Sequence, residues 1–150
     1  MGTGRRTLIA HTADVGFRAS ATELAGLFEE ATAALGDLGA DVEPGVGPSR
    51  WAEVAVEAAD LPGLAFGWLN QAIAIAEIEH AAILGAEIDR LDRPDPGARD
   101  PEWSATGRIG LRPFAAGGVK PRIHVKSATF HGLSVRRSRT GWSMRAYLDV

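Results

Sequence analysis

The sequence predicts an α+β fold: a mostly antiparallel sheet sandwich with two helices packed on one face. Three observations carry this. Two stretches of helical periodicity occur in the first half of the chain. From about residue 82 onward, apolar and polar residues alternate in successive short runs. Helices followed by a run of strands, without regular βαβ alternation, favour one antiparallel sheet over a parallel one. At 150 residues the default is a single domain, 1–150, long enough to bury a substantial core.

Leu8-Ile9-Ala10 is a short apolar run that leads into His11-Thr12-Ala13-Asp14-Val15-Gly16-Phe17. Phe17-Arg18-Ala19-Ser20 then reads as a short strand turning into a helix. Ser20 with Glu23 forms a possible capping box, and Thr22 is a rival N-cap. Leu24, Leu27, Phe28, Ala31, Leu35 and Leu38 recur on one helical face, with Glu23, Glu29, Glu30 and Asp37 opposite. Gly39 is placed to stop this helix. Residues 40–49 read as loop, rich in proline and glycine. Val54, Val56 and Ala58 alternate with Glu53, Ala55 and Glu57, as in a strand with one wet face.

Asp60 is positioned to cap a second helix, Leu61 to Glu79, with Pro62 tolerated in its first turn. Leu64, Phe66, Trp68, Leu69, Ile73, Ile75 and Ile78 make it apolar nearly all round, so it is expected to be the more buried of the two helices. Trp68 reads as a core residue rather than a stacking platform for a ligand. Residues 82–91 form a strand candidate, followed by a proline-rich loop, residues 92–101. Trp103, Ala105, Gly107, Ile109 and Leu111 then mark a buried strand face. Residues 113–121 read as loop. In Ile123-His124-Val125-Lys126, the alternation points Lys126 and His124 out of the core, and residues 136–141 read as an arginine-rich turn. The last strand sets Trp142, Met144, Ala146, Leu148 and Val150 against Ser143, Arg145, Tyr147 and Asp149.

Composition excludes several classes. The net charge of −3 argues against coating nucleic acid by charge alone. Without cysteine there is no disulfide framework, zinc-thiolate site or thiol nucleophile. Arg5 and Arg6 are not followed by an apolar signal region, and Arg6 stands where myristoylation after Gly2 needs Ser or Thr. The most apolar stretch contains Pro62, Asn70, Gln71 and Glu77, which suits a buried helix rather than a membrane span. A soluble cytoplasmic protein is expected, with no membrane partner.

Chemistry concentrates at the two chain ends. Asp14, at a strand end near Gly16, is placed either to bind a ligand or to close an Asx-turn on its own backbone. Asp149 lies beside the terminal carboxylate of Val150. If the first and last strands are neighbours, Asp14 adds a third carboxylate. Three converging carboxylates raise each other's pKa unless a counter-charge intervenes. A hard divalent cation supplies one, and oxygen-only ligands favour calcium or magnesium over zinc. A hydrated, frayed C-terminus is the alternative.

Read together, His11-Thr12-Ala13-Asp14, Asp60-Leu61, Trp68-Leu69, the run Val125-Lys126-Ser127-Ala128-Thr129-Phe130-His131-Gly132-Leu133 and the closing Leu148-Asp149-Val150 resemble the archease family. The order and spacing of these segments run from about residue 7 to residue 150. The resemblance implies a small non-enzymatic accessory protein of the GTP-dependent RNA ligase that joins 2′,3′-cyclic or 3′-phosphate ends to 5′-hydroxyl ends. It implies help with ligase guanylylation, contact with RNA only through the ligase, and a divalent metal, usually assigned as calcium. The implied metal site is Asp14, Asp149 and the Val150 carboxylate, and Lys126 falls on the family's strand motif as a partner or phosphate contact. Ala10 and Phe130 depart from the acidic residue and the tyrosine frequent at those places.

His11 is expected to support the site by hydrogen bonding, because a calcium-like ion prefers oxygen. Whether it does so or only orients the turn stays open. His131, before Gly132, either faces the same site or turns a hairpin. His80 and His124 have no assignable partner. Arg136, Arg137 and Arg139 either touch ligase or RNA phosphate or belong to a solvated turn. Two other classes compete: a metal-dependent phosphohydrolase using Asp14, Asp149 and His11 around a metal-bound water, and a general chaperone or interaction module needing no metal.

Overall fold

The computed structural model describes residues 3–10 and 15–150. The segment His11-Thr12-Ala13-Asp14, and with it the expected roles of His11 and Asp14, lies outside the described residues. In chain order the elements are β1 (Gly4–Ala10), β2 (Val15–Ala21), α1 (Leu24–Gly39), β3 (Ala40–Val42), β4 (Arg50–Ala58) and α2 (Leu61–Glu79). They continue with β5 (Ala81–Asp92), β6 (Trp103–Pro113), a single 3-10 turn (Phe114–Ala116), β7 (Val119–Pro121), β8 (Ser127–Ala128), β9 (Ser134–Ser138) and β10 (Gly141–Asp149).

The α+β class and the antiparallel pairing are as expected, but the strands divide into three sheets rather than one. β1, β2 and β10 run side by side, and β8 and β9 lie end to end along the far edge of β10. β4, β6 and β5 make a second sheet, and the short β3 and β7 a third. Each larger sheet buries one face. Phe17, Ala19, Met144, Ala146 and Leu148 point inward from the first, and Val54, Ala105, Ile109 and Leu111 from the second. Both helices fill the space these faces enclose, in one continuous core.

Alternation located the long elements well. α2 spans Leu61–Glu79, and the Asp60 carboxylate accepts a hydrogen bond from the Gly63 N–H at 2.7 Å, with Pro62 in the first turn. Other expectations need correction. The Ser20–Glu23 capping box does not form: Glu23 is the N-cap, with no side-chain cap bond. Ser20 is unavailable because β2 continues to Ala21 and pairs it with Arg5 and Ser143. Residues 40–42 and 119–121, read as loops, pair as β3 and β7; three-residue strands are too short to show a period.

α2 is not the more buried helix. Eight of the 16 residues of α1 are buried against six of the 19 in α2, so an all-round apolar sequence did not mean all-round burial. α1 packs on β1, β2 and β10 and also on β5, whereas α2 lies mainly over β4 and leaves Ile78 77% exposed. Trp68 of α2 is nevertheless fully buried. Its indole N–H donates to Thr32 Oγ1 at 2.9 Å, and its ring meets Phe28 edge-on.

Candidate functional site

The register of β2 against β10 positions the site. Leu148 pairs with Val15; in sequence Asp149 follows the first of these and Asp14 precedes the second. The strand read at Phe17–Ser20, part of β2, is thus a neighbour of the last strand, with β1 on the far side of β2. Leu148 is buried and anchors the strand end, while Asp149 and Val150 are exposed beyond it. Asp149 pairs with Ser127, whose hydroxyl donates to Asp149 Oδ2 at 3.3 Å. The Lys126 N–H donates to the Asp149 carbonyl at 2.8 Å. The structure thus brings Asp149, Ser127 and the Lys126 backbone together.

Lys126 does not sit in a strand. Residues 122–126 are irregular: the Arg122 and Ile123 N–H groups donate to the carbonyls of Gly39 and Leu38 and the Lys126 N–H to that of Asp149, isolated bonds that make no ladder. The alternation still holds: Ile123 and Val125 pack on the core while His124 and Lys126 are exposed. His131 belongs to a turn closed by the Leu133 N–H donating to the Phe130 carbonyl at 3.1 Å. Gly132 has φ +71°, and a Cβ there would stand 2.7 Å from Cδ2 and Cε2 of Tyr147. His131 is exposed, and among the described residues no hydrogen bond joins it to Asp149. The supposed turn at residues 136–141 is instead a hairpin: Arg136 and Arg137 lie in β9, and only Arg139 is in the turn.

Sequence reasoning missed Asn70. From α2 its side chain accepts from the Ala128 N–H at 2.8 Å and donates to the carbonyls of Ala128 and Phe66 at 3.2 and 3.0 Å. The amide meets the edge of β8 that β10 leaves open, as another strand would. The amides of Asn70 and Gln71 in the middle of a mostly apolar helix were the signal. His80 and His124 also find places. His80 caps α2 in the left-handed region, φ 50°, and His124 Nε2 lies 2.9 Å from Glu77 Oε2. The Glu77–His124 pair rims an apolar cleft between the C-terminal halves of the two helices, which includes neither Asp149 nor Lys126.

Among the described residues no group of three His, Cys, Asp or Glu side chains could hold a metal ion. Of the expected set, Asp149 and Val150 are described; their carboxylates, with the Ser127 hydroxyl beside Asp149, are all hard oxygen, which fits a calcium- or magnesium-like ion rather than zinc. No helix among the described residues is long and apolar enough to cross a membrane.

Fold and strand-end geometry define a small α+β protein whose last strand is held beside its second. The chain belongs to the Archease protein family (MTH1598/TM1083), whose model matches residues 7–150. It is 28% identical to the archease of Methanopyrus kandleri over 142 residues, 95% of this chain and 96% of that one. It is 31% identical to the archease of Pyrobaculum calidifontis over 140 residues, 93% and 91% of the two chains. The solution structure of Methanobacterium thermoautotrophicum protein 1598 superposes with a TM-score of 0.76 at 25% identity, covering 97% of this chain and 98% of that one.

Proposed function

We propose that this protein is a non-enzymatic activator of an RNA ligase. The ligase is the GTP-dependent type that joins 2′,3′-cyclic or 3′-phosphate RNA ends to 5′-hydroxyl ends. The activator acts in the cytoplasm, promotes guanylylation and sustains multiple turnover, and it carries one divalent cation, calcium, between Asp14, Asp149 and the Val150 carboxylate. The reading rests on family membership from residue 7 to residue 150. The observation that favours the metal site is the Leu148–Val15 pair, which adjoins both aspartates in sequence.

When bound, the cation offsets the repulsion between carboxylates that like charge otherwise imposes. This chain's own residues do the rest. Ser127 orients one Asp149 oxygen, and the Lys126 N–H holds the Asp149 backbone. The exposed Lys126 side chain, one residue away, offers an ammonium to a partner carboxylate or phosphate. Asn70 holds this segment in register from behind.

The test compares four chains: the wild type, Asp14→Ala, Asp149→Ala and a chain extended past Val150. Each is followed by calorimetric calcium titration and by multiple-turnover ligation with GTP. All three altered chains are expected to lose calcium binding and ligase activation while melting like the wild type. Full binding and activation in Asp149→Ala would remove the site; the same result in the extended chain would remove the terminal carboxylate. Hydrolysis of RNA by the wild-type chain alone would replace this reading with the phosphohydrolase.

A further inference from the structure

The net charge of −3 conceals a strong local asymmetry. The outer face of the five-stranded sheet carries two aligned rows running across β1, β2, β10 and β9. One row reads Arg5, Ser20, Ser143, Arg136, and the next reads Thr7, Arg18, Arg145, Ser134. Each position holds an arginine or a hydroxyl, and no carboxylate interrupts either row. Arg5, Arg18 and Arg136 are exposed and Arg145 is half-buried. Together they line one shallow depression.

None of the four arginines has a salt-bridge partner among the described residues, although six other arginines or histidines elsewhere do. The contrast with Arg6 is direct. One residue along β1 and on the inner face, Arg6 is paired with Asp37 and Glu30, and its hydrogen bond to Asp37 raises its pKa further. Arg18 and Arg145 stand directly opposite each other on β2 and β10. Like charges in that arrangement destabilise a sheet unless an anion lies between them.

We propose that this face binds the phosphodiester backbone of a single-stranded nucleic acid. Guanidinium forks and hydroxyls are the usual donors to phosphate oxygens. With adjacent strands about 4.8 Å apart, the four-strand row spans about 14 Å, enough to meet several phosphates of one strand. The next outward residue on β10 is Tyr147, whose ring lies against Gly132 and close to Arg145, and it supplies a stacking surface of the kind single-strand binders use. An acidic protein would be recognised differently. A protein interface is built around a buried apolar or aromatic anchor, and these two rows contain none. Asp149 lies outward on the same strand beyond Tyr147, so a strand on this face runs toward the end of β10 where the aspartate stands.

This inference does not rest on ligase activation, and its test uses the isolated chain. A fluorescently labelled oligouridylate is titrated with the protein at several salt concentrations and followed by anisotropy. Four phosphate contacts predict a slope of log K against log salt of about −2.8, since each contact on a single strand contributes about 0.7. Arg18→Gln and Arg145→Gln should each make the slope shallower by about 0.7. The double change to glutamate should abolish binding, and Arg90→Gln on the other sheet should leave the slope alone. Arg18→Gln should melt no lower than the wild type, because it removes a like-charge pair, whereas Arg145→Gln also gives up the bond from Arg145 Nε to the Gly132 carbonyl at 3.1 Å and should melt slightly lower. Unchanged affinity and slope in the double glutamate variant would overturn the proposal. So would displacement of the oligonucleotide by polyglutamate at equal charge concentration, which would make the face a site for acidic protein.

Discussion

Replacing Asn70 by alanine tests how the helix layer holds the functional strand end. Ala128 is 3% exposed, and its N–H and carbonyl both bond to the Asn70 amide rather than to β10. Asn70→Ala therefore leaves two buried main-chain groups without partners, at about 1–3 kcal/mol each. The Phe66 carbonyl keeps its helical bond, so its loss adds little. The side chain is only partly buried, and water relieves some of the penalty, which places the expected cost at about 2–4 kcal/mol. For a chain of this size that corresponds to a fall in melting temperature of about 5–15 °C. Amide exchange should quicken at Ala128 first, and at Lys126 and Thr129 with it, because their N–H groups bond to the strand end that β8 pairs with. Asn70→Asp keeps the acceptor for the Ala128 N–H but turns a carboxylate oxygen toward two carbonyls. It should be at least as destabilising at neutral pH and should recover as pH falls, when protonation restores one donor. Wild-type exchange at Ala128 in Asn70→Ala would refute the reasoning.

Three further outcomes are expected. Trp68→Ala should cost about 3–5 kcal/mol by cavity formation in urea denaturation, and Thr32→Val about 1–3 kcal/mol by orphaning the indole N–H. An unchanged melting temperature with lost ligase stimulation in Trp68→Ala would instead mark Trp68 as a contact residue. Lys126→Ala should melt like the wild type, since the side chain is exposed, and should activate the ligase less; wild-type stimulation would remove Lys126 from the functional surface.

The long elements were legible because burial on one face imprints a period on the sequence. β4 and β10 follow the alternation closely, β6 follows it up to Gly110, which Pro48 covers, and α2 was bounded correctly by Asp60 and Glu79. What failed was non-local. Nothing near Ser20 shows that β2 keeps it in a sheet, because that depends on β10, more than a hundred residues away in sequence. The three-residue β3 and β7 exist only as each other's partner. The relative burial of the helices depended on how much of each one's surface lies against the sheets, which an apolar count cannot reveal. The site was partly legible for the same reason. Asp149 stood out as a strand-end carboxylate, whereas Asn70 gains its meaning only from β8, whose two residues carry no period of their own.

β10 joins these threads, because one strand serves both the core and the proposed surfaces. Met144, Ala146 and Leu148 are buried, and between them Arg145 and Tyr147, with Asp149 beyond, face the other way. The period of a strand is two, so moving this register by one residue would send the arginine inward and the core residues out. Burial of three apolar side chains, each contributing on the order of 1–3 kcal/mol, opposes such a slip. β2 on one side and β8 and β9 on the other oppose it further by pairing. The core thus fixes where Asp149 and Arg145 lie relative to each other, two strand steps apart on one face. A cation at the strand end and phosphates over the arginine rows would occupy adjacent parts of a single rigid surface. Changes to the inward residues should therefore impair both proposed activities together, whereas Asp149→Ala and Arg18→Gln should separate them.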